Sequence, residues 1–264
     1  MNRIEKKFKE LKEKKKKAFI AFVTAGFPDL GVTEKLIPAL AKAGADVIEL
    51  GVPFSDPLAD GPTIQAASQK ALAKHVTLDK ILHTVRRIRK KTDVPLALMT
   101  YYNPVFHYGD ERFAQNASRA GVDGLIIPDL PPEEAKELIR PAHRHGLATV
   151  FFVSPTTRKD RMKKIVRAST GFIYYVSITG VTGARKTFAP ELLKKLREVK
   201  RSTSKPVCVG FGVSTPAQVR SIARLADGVI VGSAIIKVIA QSKNKKAIIP
   251  RVQRFVESLT RALP

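Results

Sequence analysis

Two carboxylates eleven residues apart, Glu49 and Asp60, stand in the segment VIELGVPFSDPLADGPTIQ, residues 47–65. Read as a strand, residues 47–51 alternate faces, so Val47 and Glu49 share one side and Ile48 and Leu50 the other. An inward carboxyl at the end of a buried strand loses solvation. Its pKa then rises toward the range where one group can act as both acid and base near neutral pH. Asp60 follows a loop stiffened by Pro53 and Pro57 and precedes Pro62, which lowers the entropy lost in holding its carboxylate in place. A structural reading competes: Glu49 could be a buried carboxylate paired with an arginine, and Asp60 the cap of the next helix.

Two later segments have the makings of a phosphate site. VGFGVS (209–214) supplies Gly210 and Gly212, and VIVGSAIIK (229–237) supplies Gly232 and Ser233 at the start of a helix. Glycine lets backbone N–H groups approach an anion, and a helix N-terminus adds favourable dipole charge. The same glycines would also serve as plain tight turns. Between them, SITGVTGARK (177–186) carries Thr179, Gly180, Thr182 and Gly183, a composition suited to a closing lid or to an ordinary surface loop. No lysine lies at the end of a strand segment, which argues against Schiff-base chemistry. The five histidines show no metal-ligand spacing, and the single cysteine excludes disulfides and cysteine-rich metal sites.

The elements that must position these residues repeat along the chain. Apolar runs at 19–24, 46–51, 95–100, 123–128, 147–153, 172–177, 206–210 and 227–232 are each followed by a loop and a longer amphipathic stretch. Strands apolar throughout belong to a parallel sheet covered on both faces. Eight strand–helix units in 264 residues predict a TIM (β/α)8 barrel, with function at the carboxyl ends of the strands and phosphate in the loops after the seventh and eighth. No linker divides the chain, so residues 1–264 are expected to be a single domain.

The formal net charge of +24 is concentrated at the ends. Residues 1–17 hold nine basic and three acidic side chains, and residues 241–264 six and one. The first stretch reads as an amphipathic helix, because Ile4, Phe8 and Leu11 recur at helical spacing and glutamates interrupt the lysines. The last reads as a basic helical tail. No zinc-finger, RNA-binding or basic-zipper pattern accompanies the charge, so no specific nucleic-acid partner is expected, and no apolar stretch is long enough to span a membrane. Without a signal-peptide pattern the chain is expected to be cytoplasmic.

ELGVPFSDPLADGPTIQ (49–65) resembles the signature of the tryptophan synthase alpha chain family. LMTYYNP (98–104), GLIIPDLPPEE (124–134), YYVSITGVTGAR (174–185) and VGFGVSTP (209–216) are similar to that family's later segments in the same order. The resemblance implies a lyase of L-tryptophan biosynthesis that cleaves indole-3-glycerol phosphate to indole and glyceraldehyde 3-phosphate by a retro-aldol step. It implies Glu49 as the acid–base and Asp60 as the stabiliser of charge at the indole N–H. Phe22 and Met99 would line the indole pocket, with Tyr174 supporting it beside Glu49. Thr182 would lie on the lid, and Gly183, Gly212, Gly232 and Ser233 would hold the phosphate. It further implies an alpha-beta-beta-alpha complex with a beta chain that carries pyridoxal phosphate and receives indole, docked near Pro53, Asp56 and Asp129. This chain itself would bind neither cofactor nor metal. The alternatives are another phosphate-binding barrel lyase or isomerase, and a polyanion-binding protein on a barrel scaffold.

Two positions depart from the family pattern: Phe27, where Asp is frequent, and His75, where Gly is common.

Overall fold

The computed structural model describes residues 1–176, 190–210 and 212–264. Its strands are β1 (Ala18–Thr24), β2 (Val47–Gly51), β3 (Leu96–Met99), β4 (Gly124–Ile126), β5 (Ala148–Val150), β6 (Phe152–Val153), β7 (Ile173–Val176), β8 (Val207–Gly210) and β9 (Gly228–Val231). All eight apolar runs become strands, and the seven-residue run at 147–153 is broken only at Phe151. Every pairing is parallel, in the order β5-β4-β3-β2-β1-β9-β8-β7-β6. Because β5 and β6 are halves of one strand, the two ends of that order meet, and the sheet comes round as an eight-position barrel.

Strand alternation sorts the buried residues into two clusters. Outward-facing Phe19, Val23, Ile48, Leu50, Leu96 and Leu98 pack beneath the helices. Inward-facing Ile20, Val47, Ala97, Ile126, Val150, Cys208 and Ile230 fill the interior. Helix Arg3–Glu13 closes the floor of that interior. Its Ile4, Phe8 and Leu11 belong to the interior cluster, and its start is fixed by a reciprocal cap between Asn2 and Glu5.

Three strand entries share one device. The segments AGADVIELG, AGVDGLIIPD and LADGVIVGS each place an Asp before a strand, where a chain turn is expected. In each, the carboxylate also reaches sideways: Asp46 accepts from Phe19 N, Asp123 from Leu96 N and Asp227 from Val207 N, all at 2.9 Å. Each clamp joins the floor ends of neighbouring strands. Asp123 additionally accepts from Arg3 Nη1 at 3.0 Å and Arg89 Nη2 at 2.6 Å, tying the floor helix to the barrel.

The basic C-terminal stretch is not a tail. Helix Lys245–Thr260 buries Ile248, Val252, Val256 and Leu259 along one face and packs on helix Leu30–Lys42. The apolar spacing of those four residues decides the matter, while Lys245, Lys246 and Arg254 of the same helix are exposed. At His75 the backbone has φ +52°, in the left-handed region that favours glycine, which accounts for the Gly common at this position.

Candidate active site

The carboxyl ends of the strands surround a cavity of about 670 Å³. Phe22 of β1, Met99 of β3 and Tyr174 of β7 form its inner wall, with Asp60 on the loop after β2. Gly212, Gly232 and Ser233, after β8 and β9, line it between Phe22 and Tyr174, because β9 pairs with β1 and β8 with β7. Gly210 and Asp129 line it as well, so nine residues singled out from sequence converge on one space. Thr182 and Gly183 lie outside the described residues.

Glu49 lies just beneath this cavity rather than on its surface. On β2 it is level with Phe22 of β1 and Ala97 of β3, all facing inward. It is fully buried, and among the described residues neither carboxylate oxygen has a hydrogen-bond partner. Burial without a partner pushes its pKa up to about 8. The Tyr174 hydroxyl is raised well above its ordinary value, first by its own burial and then by the neighbouring Glu49 charge. The aromatic wall needs room: a Cβ at Gly210 would stand 2.8 Å from Tyr174 Oη, so glycine there is required by the ring opposite.

These facts decide between the readings left open by sequence. Asp123 is the arginine-paired structural carboxylate of this barrel; Glu49 is not. Nor is Asp60 a helix cap, because helix Pro62–Leu72 starts at Gly61 without a side-chain cap. Asp60 is held otherwise. The Tyr101 hydroxyl hydrogen-bonds its side chain, Ala59 N donates to Tyr101 Oη at 2.9 Å, and Gln65 Nε2 donates to the Asp60 carbonyl at 2.8 Å. Burial raises the Asp60 pKa, and the Tyr101 hydrogen bond opposes that rise.

After β8, Gly212 adopts φ +64°, and a side chain there would meet nothing but would force a left-handed backbone. Gly232 precedes helix Ser233–Ala240 and leaves its first N–H groups without a side-chain cap. Those donors border the cavity.

The sequence reading missed three contributors. Tyr101, which orients Asp60, sits in the stretch LMTYYNP just past β3, at the mouth of the barrel. Arg158 and Arg161 also line the cavity, although RKDRMKK reads as an outer helix face. Both lie at the start of helix Lys159–Ala168, where the dipole disfavours cations and Asp160 offsets them, with Arg158 3.8 Å from its carboxylate. Of the positions expected to face a partner, Asp56 and Asp129 are exposed, whereas Pro53 is buried within this chain. The Asp129 carboxylate accepts from Tyr102 N at 3.0 and 3.1 Å.

The family model of the tryptophan synthase alpha chain matches residues 8–263, including the C-terminal helix. The chain belongs to the tryptophan synthase alpha chain family. It is 53% identical over 246 residues to the tryptophan synthase alpha chain of Geotalea daltonii, covering 93% of each chain. The alpha chain of Caldanaerobacter subterraneus is 49% identical over 263 residues, covering 100% of both. The crystal structure of the Legionella pneumophila alpha chain superposes with a TM-score of 0.92 at 41% identity, covering 99% of this chain and 97% of that one. As a family member, the chain is a lyase that cleaves indole-3-glycerol phosphate to indole and glyceraldehyde 3-phosphate in tryptophan biosynthesis. The alpha chain carries no cofactor; pyridoxal phosphate belongs to the beta chain, its partner in the alpha-beta-beta-alpha complex. Among the described residues, no helix is long and apolar enough to cross a membrane.

Proposed function

We propose that Glu49 and Asp60 carry this cleavage. The observation behind the proposal is the buried, unpartnered Glu49 carboxyl, poised near neutral pH beside a cavity that accommodates an indole and a phosphate ester. An unsatisfied buried carboxyl is costly, so a group kept that way in a native core calls for a functional explanation.

The steps balance on one proton. Neutral Glu49 donates its proton to indole C3, and positive charge develops at the ring nitrogen, where Asp60 stabilises it. The bond between C3 and the glycerol chain breaks, and its electrons return to the ring, restoring aromatic indole. The adjacent hydroxyl becomes the aldehyde of glyceraldehyde 3-phosphate by giving its proton to Glu49, which regenerates the acid. The ring itself accepts the electrons. Phe22, Met99 and Tyr174 hold it, while the N–H groups around Gly212, Gly232 and Ser233 hold the phosphate, with Thr182 and Gly183 assigned to the lid. Tyr101 positions Asp60, and Arg158 and Arg161 add positive potential to the cavity.

For the beta chain we assign the rim around Asp56 and Asp129, where Leu58 and Phe106 are 90% and 64% exposed, an unusual state for large apolar side chains. The chain is read as a single cytoplasmic domain.

The test is indole release from indole-3-glycerol phosphate, with and without beta chain. Glu49→Gln should lower turnover about 100-fold or more while leaving the affinity for glyceraldehyde 3-phosphate nearly unchanged. Asp60→Asn should also lose about 100-fold. Near-normal turnover in either variant would reassign that residue.

A further inference from the structure

The barrel has a second concavity at its opposite end, of about 460 Å³, which the cleavage reaction does not use. Five lysines surround it: Lys12, Lys15, Lys16, Lys17 and Lys200. They come from separate places, namely the end of helix Arg3–Glu13, the connection to β1, and the end of helix Pro190–Ser202. Its wall includes apolar surface from Phe8, Leu11 and Pro206.

Among the described residues Asp227 is the acid on the wall, and the partly buried Asp46 lies within electrostatic reach of Lys16. Asp227 ion-pairs with Lys200, and Lys17 lies 3.7 Å from its other oxygen. Lys12, Lys15 and Lys16 are exposed and make no ion pair among the described residues. Ordinary helix capping accounts for part of the charge, because the helix ends nearby are negative. Each end is equivalent to about half an elementary charge, roughly one unit for the two. Five lysines less Asp227 and Asp46 exceed that by about two.

The backbone supports the same reading. Lys16 N bonds to Leu11 O at 2.8 Å and Lys15 N to Lys12 O at 3.1 Å, the closure of a helix in which the left-handed position normally takes glycine. Here that position is Lys15, with φ +54°. A charged side chain stands where the turn itself would favour none.

We propose that this floor concavity is a binding site for a small oligophosphate anion, a nucleoside triphosphate or an inorganic polyphosphate. The cations enclose a space on the scale of one such molecule instead of forming a stripe along an outer surface, which favours a compact anion over a nucleic-acid strand. Lysine ammonium groups suit it, since they bind phosphate oxygens as point charges from several directions. The packed interior separates the site from the catalytic cavity.

The experiment is calorimetric titration of the full chain with tripolyphosphate, ATP and AMP at low salt. Three proteins are compared: wild type, Lys12→Ala/Lys15→Ala/Lys16→Ala, and a charge-matched control, Lys90→Ala/Lys243→Ala/Lys246→Ala. The catalytic cavity also admits phosphate esters, so the readout is the difference between the two variants. Wild type and control should show a saturable site that the floor variant loses by about tenfold or more, with AMP bound more weakly than either longer anion. Equal affinity for ATP and tripolyphosphate would show that the phosphate chain is recognised; tighter ATP would add the nucleoside. Indole release should be unchanged in the floor variant. Equal weakening in both variants, no saturable binding, or displacement by a single-stranded oligonucleotide at lower concentration would overturn the proposal.

Discussion

Glu49 and Asp123 are both buried acids, and they differ in their partners. Asp123 has two guanidinium groups and a backbone N–H; Glu49 has no partner among the described residues. That Glu49 shares a face with Val47 and opposes Ile48 and Leu50 was legible from VIELG, whereas the barrel decided that this face is the inward one. The lack of a partner was not legible, since partners come from anywhere in the chain. A stability consequence follows from the raised pKa. Between its ordinary value of 4.5 and about 8, the folded state holds a proton that the unfolded state releases. The favourable contribution is complete below pH 4.5 and is lost as pH rises toward 8. By pH 7 the part already lost amounts to about 3 kcal/mol. Glutamine mimics the protonated acid without ionising, so Glu49→Gln should be more stable than wild type at pH 7 by about that amount and equal to it near pH 4.5. Urea unfolding at both pH values checks this, and an unchanged difference would mean that Glu49 titrates normally. Turnover of the wild type should fall above pH 8 as the proton donor is lost.

At the scale of elements, the strands and their order of appearance were readable because each is a local apolar run ended by a turn. The carboxylate clamps at the strand entries were only half readable. A turn-forming Asp is a local signal, but the bonds to Phe19, Leu96 and Val207 cross between strands far apart in sequence. The clamps differ in what depends on them. Asp46→Ala removes one charged hydrogen bond and should cost about 1–3 kcal/mol. Asp123→Ala also leaves Arg89 without its carboxylate partner and should cost about 3–5 kcal/mol. Equilibrium unfolding of the two variants should therefore separate, and equal losses would mean that the arginine contacts contribute nothing. The same contrast between local and distant information explains Arg158 and Arg161. Their run looks like any solvated helix face until the barrel turns its first residues toward the cavity.

For the whole molecule, helix Arg3–Glu13 does more than precede the barrel. Phe8 packs against Phe172 with ring centroids 5.6 Å apart, and Phe172 lies 6.4 Å from Tyr174, so the floor and the catalytic wall share one interior. Phe8→Ala should cost about 3–5 kcal/mol and lower the melting temperature by roughly 10 °C. Calorimetric melting reads this directly; a shift of only a degree or two would show that the helix merely rests on the barrel. The +24 charge divides along similar lines. Much of it lies on outward helix faces, including the C-terminal helix that composition alone presents as a tail, while five lysines converge on the floor. The sequence by itself determined the alternation of strands and helices, the amphipathic floor helix, the face that Glu49 shares with Val47 and the glycines of the mouth, because periodicity and backbone preference are written within a few residues. The tertiary structure alone decided that β5 and β6 join the sheet's two ends, that Glu49 has no partner, that Tyr101 meets Asp60, and that cations gather at two separate cavities. Each of these depends on residues brought together across the barrel, and no local pattern encodes which distant side chains will be present or absent there.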